Sequence, residues 1–271
     1  MAEEYTLFYN DYSICSIMVR YTVAVIQHLQ DGRIRINEQP IDIQHGGQLA
    51  ESYLCKVNPK GTVPVLTSSN PQRLKTPLSE SVDITYFLAE YFPTLCPPHL
   101  ASQITSLLSE LHDINYFSLT YTDKPHRAVD MENSVQKVLA RSDISERYRK
   151  ALELKLEVIR ATRAPALTTE AVVVQKQKAL SFLSKIEALL GATETNTKGS
   201  DHGGFLWIFG TPEATALDAH VVPLIARLLD VGRGAMFEGN PRVRAYADRA
   251  FETEAWKDVM QRRRTVYGTY L

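Results

Sequence analysis

A chain of 271 residues, 44% hydrophobic and 23% charged, has room for one large domain or two ordinary ones and the composition of a globular protein. A formal net charge of -1 excludes a field strong enough to gather nucleic acid or an anionic membrane. Cys15, Cys55 and Cys96 cannot all pair and show no C-x-x-C spacing, so a disulfide framework is not expected.

The seven histidines lack H-x-x-x-H and H-E-x-x-H spacing, so no metal site is expected. No run of about 18 apolar residues occurs, and the opening MAEEYTLFYN lacks a basic stretch before an apolar core. Neither a membrane span nor a secretory signal is expected, and a reducing cytoplasmic setting is the default.

In chain order, YTLFY (residues 5–9) is aromatic and β-prone and predicts a short buried strand. SIMVRYTVAVIQHL then places Ile17, Tyr21, Val25 and Leu29 at steps of four, which predicts a helix that Asp31-Gly32 ends. The serines and thiol at its start, Ser13, Cys15 and Ser16, suit either a plain helix cap or a thiolate site. RIRINEQPIDI alternates Ile34 and Ile36 with charged neighbours and predicts a second strand. Strand, helix, strand argues for a parallel βαβ unit.

GGQLAESYLCKVNP predicts a short helix stopped near Asn58-Pro59. TVPVLTSSNPQRLKTPL predicts two short strands around an Asn70-Pro71 turn. SESVDITYFLAEYF predicts a helix with Val82, Tyr86 and Ala89 on one face, and the three prolines of the boundary segment PTLCPPHL break it.

From residue 99 to 200 no strand pattern recurs. Ile104, Leu107, Leu108, Leu111 and Ile114 form a helical stripe, and ERYRKALELKLEVIRATR and VVVQKQKALSFLSKIEALLG repeat the helical period, with Gly191 as the expected stop. ATETNTKGSDHGG (residues 192–204) predicts a polar loop. In TPEATALDAHVVPLIARLL, Thr215 and Asp218 make a capping pair before an apolar helix. Arg20 is expected to pack or pair, and His112 and Tyr116 lie one helical turn apart.

Four stretches together resemble the glutathione transferase superfamily over nearly the whole chain. NPKGTVPVL resembles its N-P-x-G-x-V-P-x-L signature, and PLSESVDITYFL its E/Q-S-x-x-I-x-x-Y-L signature. FGTPEATALDAHVVP resembles the G-x-x-x-S/T-x-x-D motif of its second domain, with four residues rather than three between Gly210 and Thr215. SICSIMVR is similar to the S-x-C-S-x-x-V-R stretch of the zeta class, the maleylacetoacetate isomerase type. Those eight residues do not fix a subclass, because residues 100–200 are longer than a compact member needs.

The resemblance implies an α/β thioredoxin-like domain (residues 1–93) that binds glutathione, packed on an all-α helical domain (residues 99–271) that completes a pocket for a small apolar electrophile. It also implies a homodimer. Glutathione's thiol, with a pKa of about 8.5, needs ~2.7 kcal/mol of preferential anion stabilisation to fall by ~2 units. A hydroxyl bond to an ion supplies about 1.5–3 kcal/mol and a helix N-terminus about 0.3–1, which Ser13 combines.

Cys15 is the rival, as a nucleophile for mixed disulfides in a thiol transferase or reductase. A third reading is a catalytically silent binding module. Val63-Pro64, read as a cis bond, would offer the Val63 backbone to glutathione. Ser81 at a helix start suits the γ-glutamyl carboxylate and Glu80 the α-amine. For the glycyl carboxylate Lys60, Gln48 and His45 are candidates, with Lys60 preferred.

Overall fold

The computed structural model describes residues 2–29, 32–197 and 207–268. The expected aromatic strand is β1 (Glu3–Tyr9), central in a sheet of order β2-β1-β3. β2 (Ile34–Pro40) runs parallel to β1, from Glu3 opposite Ile34 to Tyr9 opposite Pro40. That pairing needs a crossover, and α1 (Ile14–Val25) supplies it.

β3 (Val65–Ser68) runs antiparallel to β1. The second strand of the expected hairpin is a correction: it shrinks to a single bridge between Leu66 and Leu78. Pro71 and Pro77 each remove a ladder donor there. The residues between are drawn into a turn in which the N–H groups of Arg73 and Leu74 donate to Asn70 O.

α2 (Glu51–Lys56) follows one tight 3-10 turn, and α3 (Ser81–Tyr91) closes the sheet half. The core face of α3 is Ser81, Ile84, Thr85 and Leu88, whereas the expected Val82, Tyr86 and Ala89 are half-buried. α1 and the later helix α9 (Ala216–Asp230) both pack against α3 and set that rotation.

The helical half runs α4 (Ala101–His112), α5 (Tyr116–Tyr121), α6 (Arg127–Leu139), α7 (Glu146–Thr162) and α8 (Thr169–Thr197), then α9, α10 (Pro241–Phe251) and α11 (Glu254–Met260). The stripe Ile104, Leu107, Leu108, Leu111 and Ile114 is buried as its spacing predicts. Gly191 does not stop α8, which continues to Thr197. Arg242 bridges Glu187 and Glu194 at 3.1 and 2.9 Å, one on each side of the glycine, and this bracing offsets its helix penalty of about 1 kcal/mol. Of the expected loop, residues 198–204 lie outside the described residues.

One apolar core joins β1, α1, α3, α4, α8, α9, α10 and α11. α9 is buried from Ala216 to Leu228, and its start is fixed by Asp218. That carboxylate accepts from Thr215 N at 2.8 Å, Thr215 Oγ1 at 2.6 Å, Ile208 N at 2.9 Å and Tyr246 Oη at 2.7 Å. A second cluster, Leu49 and Leu54 with Val135, Tyr148, Leu152, Leu156 and Ile159, packs the α6–α7 hairpin over α2. This hairpin roofs a cleft.

Candidate active site

The turn from β1 into α1 is built around buried Asn10. Its Nδ2 donates to Ile41 O and Gln44 Oε1 at 2.9 and 3.0 Å, and its Oδ1 accepts from Tyr12 N at 2.9 Å. Ser13 follows as the N-cap of α1, its Oγ accepting from Ser16 N at 3.4 Å and donating to Val63 O at 3.4 Å. Both contacts sit at the outer limit of a hydrogen bond, so the hydroxyl proton is loosely held and can turn to a stronger acceptor.

Beside it stands the loop before β3. The Val63-Pro64 peptide is cis, as the sequence predicts. Asn58 Nδ2 and Tyr53 Oη donate to Thr62 O at 3.0 and 2.7 Å. Gly61 has φ +56, and Leu54 lies 2.9 Å from where its Cβ would stand, so this position needs glycine. Buried Lys155 of α7 reaches across, its Nζ donating to Lys60 O at 2.7 Å and Gly61 O at 3.0 Å. Burial brings its pKa down to about 8.

These two loops form one wall of a cleft of about 430 Å³, lined by Tyr12, Ser13, Cys15, Val63 and Glu80 on that side and by residues of α5, α6 and α7 on the other. Ser13, Val63, Glu80 and Cys15 are thus brought together. Ser81 is buried behind them and does not line the cleft. Pro64 is buried and, like Lys60, does not line the cleft. Lys60 Nζ instead turns to Glu80 Oε1 at 3.3 Å, on the exposed surface. Among the other two carboxylate-donor candidates, His45 is exposed and bonded to Asp42 at 2.7 Å. Gln48 lines the cleft with its buried Oε1 unpartnered.

No protein-family model matches the sequence, and no curated protein matches it. Solved structures match across almost the full chain. The yeast prion protein Ure2p in complex with glutathione aligns with TM-score 0.59 at 16% identity, over 96% of this chain and 94% of that one. A bacterial glutathione transferase family member from Pseudomonas fluorescens, with two glutathiones bound, gives 0.57 at 15% identity, over 95% and 92%. A delta-class glutathione transferase from Nilaparvata lugens gives 0.56 at 16% identity, over 95% and 93%. This chain has the glutathione transferase fold.

Within that fold the rival nucleophile is held back. Burial pushes the Cys15 thiol up, the Ser81 hydroxyl and the charges of Arg227 and Arg163 pull it down, Glu80 opposes them, and the balance is upward. Cys15, Cys55 and Cys96 are all free thiols. Arg227 of α9 was not singled out in the sequence. Its Nη2 donates to Tyr12 O at 2.8 Å and its Nη1 to Thr120 Oγ1 at 3.2 Å, which ties the residue before Ser13 to the helical half. Arg20 forms the expected ion pairs, with Asp11 and Glu38 at 2.9 Å each.

His112 lines the cleft at the end of a buried hydrogen-bond chain that crosses between the halves. Thr22 Oγ1 spends its proton on Met18 O at 2.9 Å, so it accepts from Thr85 Oγ1 at 3.3 Å. Thr85 in turn accepts from His220 Nε2, and His220 Nδ1 accepts from His112 Nε2, each at 2.8 Å. This hydrogen-bond chain needs a neutral His220, and burial keeps His112 neutral at neutral pH. Burial lowers His112 to about 4 and His220 well below its usual value.

The unfolded chain takes up these protons near pH 6.5 and the folded one does not. The stability they contribute is whole above about pH 6.5 and is lost as pH falls toward about 4. The melting temperature should drop across that window, and a flat profile from about pH 7 to about pH 4.5 would exclude a neutral pair.

Proposed function

We propose that this protein activates the thiol of glutathione with Ser13 and adds the thiolate to, or uses it to isomerise, a small electrophile with an apolar body. The observation that carries this reading is the Ser13 hydroxyl at the N-terminus of α1, beside the Val63 carbonyl on one wall of a cleft in the glutathione transferase fold. An extended tripeptide there can pair with the Val63 backbone as an added strand. Its α-amine would meet Glu80, its γ-glutamyl carboxylate the first turn of α3, whose N–H groups have no intrahelical acceptor, and its glycyl carboxylate Gln48.

In conjugation the thiol proton leaves to solvent, and the sulfur lone pair forms a C–S bond at the electrophilic carbon. With a halide substrate the C–halogen pair departs as halide. Ile114, Phe117, Met131 and Ile159 give the electrophile an apolar wall. The protein's contribution is anion stabilisation and proximity.

A second reading has an observation of its own: Cys15 also lines the cleft, which is where a mixed disulfide with glutathione would form. Its upward pKa weighs against that reading. Calorimetric titration with glutathione tests the proposal. We expect binding at one site per chain and, at ~100 times Kd, about 2.7 kcal/mol of added stability, seen as a raised melting temperature. Glu80→Gln should weaken the binding. No heat and no thermal shift at millimolar glutathione would refute the proposal.

A further inference from the structure

The cleft holds two guanidinium groups that the thiol chemistry does not use. α5 presents Phe117 and Tyr121 one turn apart, with ring centroids 4.8 Å apart. Arg163, at the end of α7, lies 4.8 Å over the Phe117 ring, and Arg127, at the start of α6, lies 5.6 Å over Tyr121. All four residues line the cleft. Among the described residues neither guanidinium makes a hydrogen bond or ion pair, whereas Arg20, Arg160 and Arg227 are each engaged by carboxylates or carbonyls.

Neither carboxylate of the cleft is turned to these arginines. Glu80 faces Lys60 at 3.3 Å, and Asp130 faces His126 at 3.8 Å on the exposed side of α6. Lys155 adds a third cation, with two of its three protons spent on carbonyls. Half-buried positive charge without a counter-ion is costly, and burial already lowers the proton affinity of Arg163. A planar anion is what such a site lacks: its carboxylate would take the guanidinium fork and its π-face the Phe117–Tyr121 pair.

We propose that this wall of the cleft is a carboxylate subsite, and that the electrophile is a planar aromatic or conjugated carboxylate held by Arg163 and Arg127. The word electrophile rests on the glutathione reading above; the anion subsite does not. Arg163, Cys15 and Ser13 line the same cleft, so an anion held by Arg163 shares it with the thiol that Ser13 would activate.

The test is calorimetric binding of dinitrobenzoate and of neutral dinitrobenzene to the whole protein, with and without glutathione. It is followed by conjugation of the corresponding chloro compounds, in which the thiolate forms the C–S bond and chloride leaves. We expect the benzoate to bind about tenfold or more tighter than dinitrobenzene, with added salt eroding the difference. Arg163→Gln and Arg127→Gln should each bring the ratio toward one, and Arg163→Lys should keep part of it. The salt dependence needs no variant, so a misfolded mutant does not spare the proposal.

Equal affinities in the unmutated protein would overturn it. So would an Arg163→Gln variant that loses glutathione rather than benzoate, since Arg163 would then serve the tripeptide. Binding and conjugation of glutathione without a preference for the benzoate would sink the subsite alone. Benzoate preference without glutathione binding would sink the transferase reading alone.

Discussion

Asp218→Ala should cost on the order of 4 kcal/mol of stability, the largest single effect expected in this chain. The substitution strands buried donors that now share one carboxylate: Thr215 N, Thr215 Oγ1, Ile208 N and Tyr246 Oη. Each unsatisfied buried group costs about 1–3 kcal/mol, and the sum falls short of additive because some donors find new partners. Asp218→Asn is not a mild control, because its NH2 group would face donors. Thr215→Ala, which removes the capping hydroxyl together with the γ-methyl group but leaves the carboxylate, should cost about 1 kcal/mol. Urea unfolding checks both. An Asp218→Ala protein within about 1 kcal/mol of the parent would show that the start of α9 is held some other way.

Ser13→Ala should slow conjugation roughly ten- to hundredfold near neutral pH, the loss of about 1.5–3 kcal/mol of anion stabilisation. The defect should shrink as pH rises, because solvent then supplies thiolate without help. The long contacts of Ser13 to Ser16 N and Val63 O, both 3.4 Å, leave little structural work for the hydroxyl, so the variant should fold normally. Cys15→Ser should leave conjugation largely intact. The reductase reading predicts the reverse: Cys15→Ser abolishes turnover of mixed disulfides while Ser13→Ala is mild. A pH–rate profile of both variants, against one generic electrophile and one generic disulfide, separates the two.

The sequence revealed what local chemistry specifies. YTLFY, the capped helix after it and the Val63-Pro64 turn are short-range patterns, and the sheet places their ends at one cleft. Thr215 and Asp218 were legible because a capping pair has fixed spacing. The direction of Lys60 was not legible, because nearness to a signature says nothing about where a flexible side chain points, and it points to Glu80.

Lys155, Arg163 and Arg227 carry no motif, since their partners come from distant elements. Two of the three still left a trace. Lys155 falls on the apolar stripe of Leu152, Leu156 and Ile159, and Arg227 sits between Ile225 and Leu228, all of them buried. A cation on a buried face needs an acceptor there, and each of these finds one at the cleft. The fourth strand and the Gly191 stop failed because prolines and the Arg242 bridge outweighed local propensity.

The central claim is that Ser13 lowers the pKa of a bound thiol. The direct measurement is the ultraviolet absorbance of the thiolate in the glutathione complex, titrated with pH at saturating protein. The expected midpoint is about 6.5, ~2 units below free glutathione, returning to about 8 in Ser13→Ala. A midpoint near about 8.5 in the unmutated protein, with glutathione shown to be bound, would contradict the account.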